Sequence, residues 1–224
     1  MRDAVNNERG NISIFVLGLL VILAVMFVLV LNLSNVLVAK EQANSAAQQA
    51  SLAATAELYD KMYEVIEEYE SEVIGLVDSY PEKIEEKVDK EVERLSSGEM
   101  SGYTLNEIQT EAFDRVLAEE LSKGLGDDLL RKKIEEELEF DWSISIRQTA
   151  RNAILTNGGS LEDAELKLFE DGRIVVRASR DIEVTDSNGW LSGVEENIAR
   201  TSAGPEMSFV KELKDWEERT YSLN

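Results

Sequence analysis

The chain has no cysteine and no histidine, and only two prolines among its 224 residues. The absence of cysteine excludes disulfides, a thiol nucleophile and a zinc–thiolate site. The absence of histidine removes the usual general base of enzymes and the commonest metal ligand. An enzyme built from this chain would have to work with carboxylates alone. We therefore predict that the protein is not an enzyme and has no catalytic residue, no metal site and no cofactor.

Basic residues are also scarce. The chain has 23 Lys and Arg residues against 45 Asp and Glu residues, so its formal net charge at pH 7 is −22. Nucleic acids and anionic lipid headgroups bind to cationic surfaces. The charge therefore argues against both as ligands, and we predict no nucleic-acid partner. It suits an exposed acidic domain in water.

One segment has no charge at all. Between Ile12 and Ala39 there is no ionisable side chain, and most residues are Leu, Val, Ile, Phe or Met. A helix from Ile12 to Leu31 is about 30 Å long, which matches the hydrocarbon core of a bilayer. The apolar region of a cleaved signal peptide is shorter, about 7–15 residues. We therefore predict a transmembrane helix over 12–39 in the cell membrane.

The short tail, residues 1–11, is easier to retain in the cytoplasm than the long acidic remainder. The sequence thus predicts a single-pass protein with a cytoplasmic N-terminus and an extracytoplasmic C-terminal domain.

Helical periodicity continues beyond the membrane, over residues 40–80, and no proline occurs before Pro81. Small residues recur on one face of this Ala-rich and acidic helix, at Ala43, Ala47, Ala50 and Ala54. One interpretation is a passive stalk with high helix propensity. The other is a helix-packing interface with partner subunits, including a homo-oligomer through the N-terminal helix.

The rest of the chain predicts an α+β fold. Residues 81–160 form a helical region in which Thr104 and Glu107 make a capping-box pattern and Asp127 caps a further helix. Residues 140–156 fit a strand or a helix equally well. Residues 161–224 form a small α+β region with a β-hairpin, whose turn is Glu170–Arg173. We expect a third strand at 182–184, and helical spacing at 190–198 and 209–216.

A partial calcium-loop pattern occurs at Asp186, Asn188, Gly189 and Glu195. Its first ligand position is Val184, whose side chain cannot bind a cation. A plain Asn-Gly turn after a strand explains the pattern better, so we predict no calcium site.

The N-terminal quarter resembles a known family. Glu8-Arg9-Gly10, the apolar span and the Ala-rich segment 44–54 resemble TadE/TadG-like proteins. These are membrane-anchored, pilin-like components of tight-adherence (Flp-type) pilus assembly. The resemblance implies a small α+β domain after the helix. It also makes Gly10 and Asn11 the candidate site of prepilin-type processing, although the fifth residue after that bond is Phe15 instead of the usual glutamate. This departure favours an unprocessed, TadG-like protein.

The leading hypothesis is a structural, non-enzymatic component of pilus assembly or secretion machinery, whose partners are the membrane and other pilin-like subunits at the cell surface. The alternative is a single-pass anchored extracytoplasmic binding or sensor domain with no assembly role. A membrane-tethered enzyme comes third.

Overall fold

The computed structural model describes residues 8–74, 82–123, 127–182, 197–213 and 218–224. A single helix, α1 (Glu8–Ile74), has 67 residues and is therefore about 100 Å long. It contains the predicted apolar span and the Ala-rich segment without interruption. The predicted end of this helix, near Tyr80, lies outside the described residues.

Shorter helices follow α1. They are α2 (Ile84–Ser97), α3 (Leu105–Ser122), α4 (Asp127–Glu137) and α5 (Ser143–Thr156), with a π-helical turn at Leu138–Trp142 between the last two. The predicted capping box at the start of α3 is confirmed, because the Thr104 hydroxyl accepts the Glu107 N–H and the Glu107 carboxylate accepts the Thr104 N–H. The ambiguous segment 140–156 is helical, and Trp142, Ile146, Ala150 and Ile154 are all buried.

Four antiparallel strands form one sheet in the order β3-β2-β1-β4. Their bounds are β1 (Ser160–Glu170), β2 (Arg173–Arg180), β3 (Ile198–Ala203) and β4 (Arg219–Ser222). The predicted hairpin is confirmed. Its turn has positive φ at Asp171 (51°) and Gly172 (70°), the type I′ geometry that Asp-Gly favours. The predicted α+β fold class is likewise confirmed.

The predictions for the last third of the chain need three corrections. Ile182 follows β2 without forming a strand, and the third strand is β3 instead. Ile198, the last residue of the segment for which helical spacing was expected, is the first residue of β3. Phe209 lies in a short 3-10 helix, Ser208–Glu212, and Leu213 follows that helix. Strand β4 was not predicted at all. Residues 183–196 and 214–217 lie outside the described part.

Residues from α1 to α5, from β1 and β2 and from the 3-10 helix share one hydrophobic core. Alternate residues of β1 and β2, including Leu166, Leu168, Ile174 and Val176, are fully buried in the same cluster as Ala50 and its neighbours on α1. Helix α5 lies along α1 as well, and Ile154 near its end is fully buried. The upper part of α1 therefore serves as the central element of the domain.

Candidate functional site

The four alanines predicted as a helix-packing interface are all fully buried. Ala43, Ala47, Ala50 and Ala54 each have 0% exposure, and the packing elements are α5, β2 and β3 of the same chain. The stripe is therefore a packing face within one protomer. The structure contains a single chain, so a partner subunit on this stripe stays a prediction. In the fold described here, the chain's own domain already occupies that surface.

Close approaches to the neighbouring positions Ala46 and Thr55 require glycine on the segments that face α1. A Cβ atom on Gly159 would lie 2.8 Å from the Ala46 Cβ, and one on Gly204 would lie 2.6 Å from the Thr55 Oγ1. The Thr55 hydroxyl is held in place, because it donates to the Ser51 carbonyl at 2.8 Å. Larger side chains on either partner would force the domain away from α1.

The opposite face of upper α1 is open. Ser45, Gln49, Leu52 and Ala56 are exposed, and Leu52 is 43% exposed. These four residues, which we call the outer face, lie in an uncharged run from Gln42 to Ala56, although 30% of the chain is charged. The sequence analysis did not predict this exposed face as a candidate site. The uncharged run in an otherwise acidic protein was the signal that could have identified it.

Among the described residues, the lower half of α1 is largely uncovered by the domain. Large apolar side chains from Ile12 to Val38 are exposed all around the helix, and burial by the domain begins at Ala39. Within the residues that the structure describes, α1 is the one helix that is long and apolar enough to cross a membrane, which supports single-pass anchoring. Gly10 and Asn11, the candidate processing residues, lie in the first turns of α1. Processing there remains a prediction.

Polar contacts attach the acidic end of α1 to the other helices. Two hydroxyl groups of α5, those of Ser145 and Thr149, donate to the carboxylate of Glu57 on α1. Lys133 of α4 lies 3.1 Å from both the Glu68 and the Glu72 carboxylates. These glutamates therefore have structural partners, and within the described ranges no group of three or more acidic side chains could hold a metal ion. The partial calcium-loop pattern at 186–195 lies outside those ranges.

The carboxylate of Asp114 is deeply buried. Asp114 on α3 is 3% exposed and accepts the backbone N–H groups of Ser208 at 2.8 Å and Phe209 at 3.3 Å. Burial raises the pKa of Asp114, and the two N–H groups oppose that rise because they stabilise the carboxylate. This residue fastens the 3-10 helix onto α3, beside the aromatic side chains of Tyr59, Phe113 and Phe209.

Comparison with known proteins gives a match to a family model. No curated protein and no solved structure matches the chain. The matching segment contains the exposed apolar half of α1, the buried alanine stripe and the outer face. Residues 10–57 match the Tad family model, described as Flp pilus-assembly TadE/G-like, which confirms the family resemblance seen in the sequence.

Proposed function

We propose that the protein is a structural, non-enzymatic and pilin-like component of a Flp-type pilus-assembly machinery, anchored by α1 with its N-terminus in the cytoplasm. The observation that carries the proposal is the family match at residues 10–57, which ends where the acidic part of α1 begins. The matched segment contains the lower half of α1, whose apolar side chains are exposed, and the uncharged outer face above it.

The partners in this proposal are other pilin-like subunits. Lipid or a neighbouring helix can cover the apolar lower half, since its side chains are exposed on every side. Above the membrane, the outer face offers small and amide side chains without charge, so another acidic subunit can approach it without like-charge repulsion. The buried alanine stripe then keeps the domain on α1 while the outer face contacts the partner.

Single cysteines test the partner contact, because the chain has no cysteine of its own. Ser45→Cys and Gln49→Cys, both on the outer face, should form disulfide cross-links to pilin-like subunits carrying a matching cysteine in intact cells. Ala47→Cys, on the buried stripe, is the matched control and should remain unlinked. Equal cross-linking from all three positions, or none from the two exposed positions in cells that assemble pili, would contradict the proposed contact.

The same approach tests the orientation. Ser96→Cys lies on an exposed position at the end of α2, and Ala4→Cys lies in the N-terminal tail. A membrane-impermeant maleimide added to intact spheroplasts should label the first and leave the second until the cells are lysed. The reverse pattern would place the acidic domain in the cytoplasm and remove the proposed role.

A further inference from the structure

A groove lies where the domain meets the lower half of α1. Its volume is about 690 Å³. Residues of α1 from Asn35 to Gln42 line one side of it, and the end of α5, the start of β1 and the end of β2 line the other. Two apolar residues of the lining, Val38 and Leu155, are 55% and 54% exposed. The groove therefore combines apolar walls with access to the surroundings of α1.

The position along α1 brings this groove to the membrane surface. No charged residue occurs between Arg9 and Lys40, and this uncharged run is about 45 Å long as a helix. A bilayer with its headgroups is about 40–45 Å thick. When the run spans such a bilayer, Lys40 lies where headgroups meet water, and Asn35 lies about 8 Å deeper. The α1 side of the groove then extends from the headgroup layer into water.

Helix α5 runs along α1 toward the same level. Near its start, the Ser145 hydroxyl donates to Glu57 of α1. Just after its end, a Cβ atom on Gly159 would lie 2.8 Å from the Ala46 Cβ. The two helices are therefore antiparallel, and the end of α5 is the end nearer the membrane. Leu155, a large and exposed apolar residue, belongs to this end.

The groove contains one charge of each sign. Arg180, at the end of β2, and Asp181, which follows it, are the charged residues of its lining within the described ranges. Neither forms an ion pair in the part of the chain that the structure describes, and the Arg180 guanidinium donates to the Gly158 carbonyl. A guanidinium has five N–H groups, so this bond leaves donors for an anion. The lining is neutral overall, although the chain has a net charge of −22.

These features together fit the headgroup of a zwitterionic phospholipid. The arginine fork matches a phosphate group, and an ammonium group pairs with a carboxylate. The acyl chains of such a lipid can continue along the exposed apolar side chains of the lower half of α1. An anionic phospholipid such as phosphatidylglycerol offers no ammonium group, and the acidic chain repels its net charge.

We propose that this groove binds the headgroup of a zwitterionic membrane phospholipid, with Arg180 at the phosphate and Asp181 at the ammonium group. The groove is continuous with the apolar surface of α1 that supports membrane anchoring, so the bilayer itself supplies the ligand. Binding holds the lower end of the domain against the membrane surface. The inference goes beyond the proposed function, because it depends on membrane anchoring and is independent of pilus assembly and of orientation.

The first experiment measures how close the end of α5 lies to the bilayer. Leu155→Cys and Ile144→Cys, made in the full chain, are labelled with a nitrobenzoxadiazole fluorophore in phosphatidylethanolamine-containing nanodiscs. Leu155 and Ile144 are 54% and 60% exposed, and they lie on the same face of α5 about 16 Å apart along its axis. Phospholipids with a nitroxide on the headgroup should quench the label at 155, with little loss of fluorescence from the matched label at 144.

The second experiment measures headgroup binding by native mass spectrometry of the full chain in non-ionic detergent. The probes are dioleoyl phosphatidylethanolamine and dioleoyl phosphatidylglycerol, and we expect tighter binding of the first. Arg180→Gln should weaken that binding by roughly ten-fold, the loss expected for a charged hydrogen bond. Asp181→Asn should reduce the preference for phosphatidylethanolamine over phosphatidylglycerol.

Arg177→Gln is the matched control for the second experiment. Arg177 is exposed on the same strand as Arg180, three residues away and therefore on the opposite face of the sheet, and it does not line the groove. The variant removes the same charge and should bind phosphatidylethanolamine as the unmodified chain does. An equal loss in both variants would indicate a general charge effect and would contradict the groove site.

The remaining outcomes separate the two proposals. Equal quenching at both labels, quenching at neither, or unchanged lipid binding in Arg180→Gln would overturn the groove proposal. Tighter binding of phosphatidylglycerol would overturn the assignment of a zwitterionic ligand. If the Ser45 and Gln49 cross-links persist in these cases, the assembly role stands without the groove. If Arg180→Gln does not fold, Asp181→Asn and the quenching comparison decide alone.

Discussion

The two halves of α1 form one continuous helix but lie in different surroundings. Below Ala39, large apolar side chains point outward on all sides. Above it, one face is fully buried by α5 and the sheet while the opposite face is exposed. Large residues fill the lower half because lipid, or a neighbouring helix, accepts any apolar shape. Small residues fill the inner face of the upper half because backbone elements approach it closely. Thus the size of an apolar residue distinguishes a membrane face from a packing face along one helix.

The largest effect is expected in the lower half. Leu20→Arg with Leu23→Arg places two charges near the middle of the span, at a cost of about 5–7 kcal/mol for the pair. The double variant should therefore leave the membrane fraction in an alkaline carbonate extraction. Gln48→Arg with Gln49→Arg adds the same charge to exposed positions of the upper half and should stay in the pellet. Retention of both variants would mean that the lower half is not the anchor.

An intermediate effect is expected on the inner face. Ala54→Leu adds three carbon atoms to a fully buried position, and such overpacking costs about 1–3 kcal/mol of unfolding free energy. Ala56→Leu makes the same change on the outer face and should alter the unfolding free energy by no more than about 0.5 kcal/mol.

Urea unfolding of the full chain in non-ionic detergent measures both variants. Tryptophan fluorescence is a suitable signal, since Trp142 is 3% exposed in the core. Equal stability of the two variants would contradict the distinction between the inner and outer faces. Leucine at Ala47 or Ala50, which are equally buried, should disturb the domain in the same way.

The smallest effect is expected at the contact between β3 and α1. Gly204→Ala would bring a Cβ atom to 2.6 Å from the Thr55 Oγ1, so we expect a loss of about 1 kcal/mol, the low end of overpacking costs. Thr55→Ala removes that oxygen and should recover part of the loss in the double variant. Additive losses in a double-mutant cycle would show that the two residues do not compete for this space.

Local signals explain which elements could be predicted. The capping box at Thr104 and the Asp171-Gly172 turn each depend on neighbouring residues alone, and both were confirmed. The secondary structure of residues 140–156 could not be assigned from the sequence, because their apolar positions fit both the strand period of two and the helical period of 3.6. Their helical state depends on α1, since α5 buries its apolar face there. Strand β4 has four residues and pairs with the edge of β1, which is distant in sequence. Its own residues carry little strand signal.

The candidate site shows the same division. The regular spacing of the alanines identified which residues form the inner face of α1. It could not identify the elements that pack on this face, because α5, β2 and β3 come about 90–160 residues later in the chain.

The sequence by itself determined the apolar span, the long helix, the capping box at Thr104 and the hairpin, because each depends on composition or on residues a few positions apart. Only the tertiary structure decided which face of α1 is covered by its own domain and which face stays open. Those properties depend on contacts between distant segments, and such contacts form only when the whole chain packs around α1.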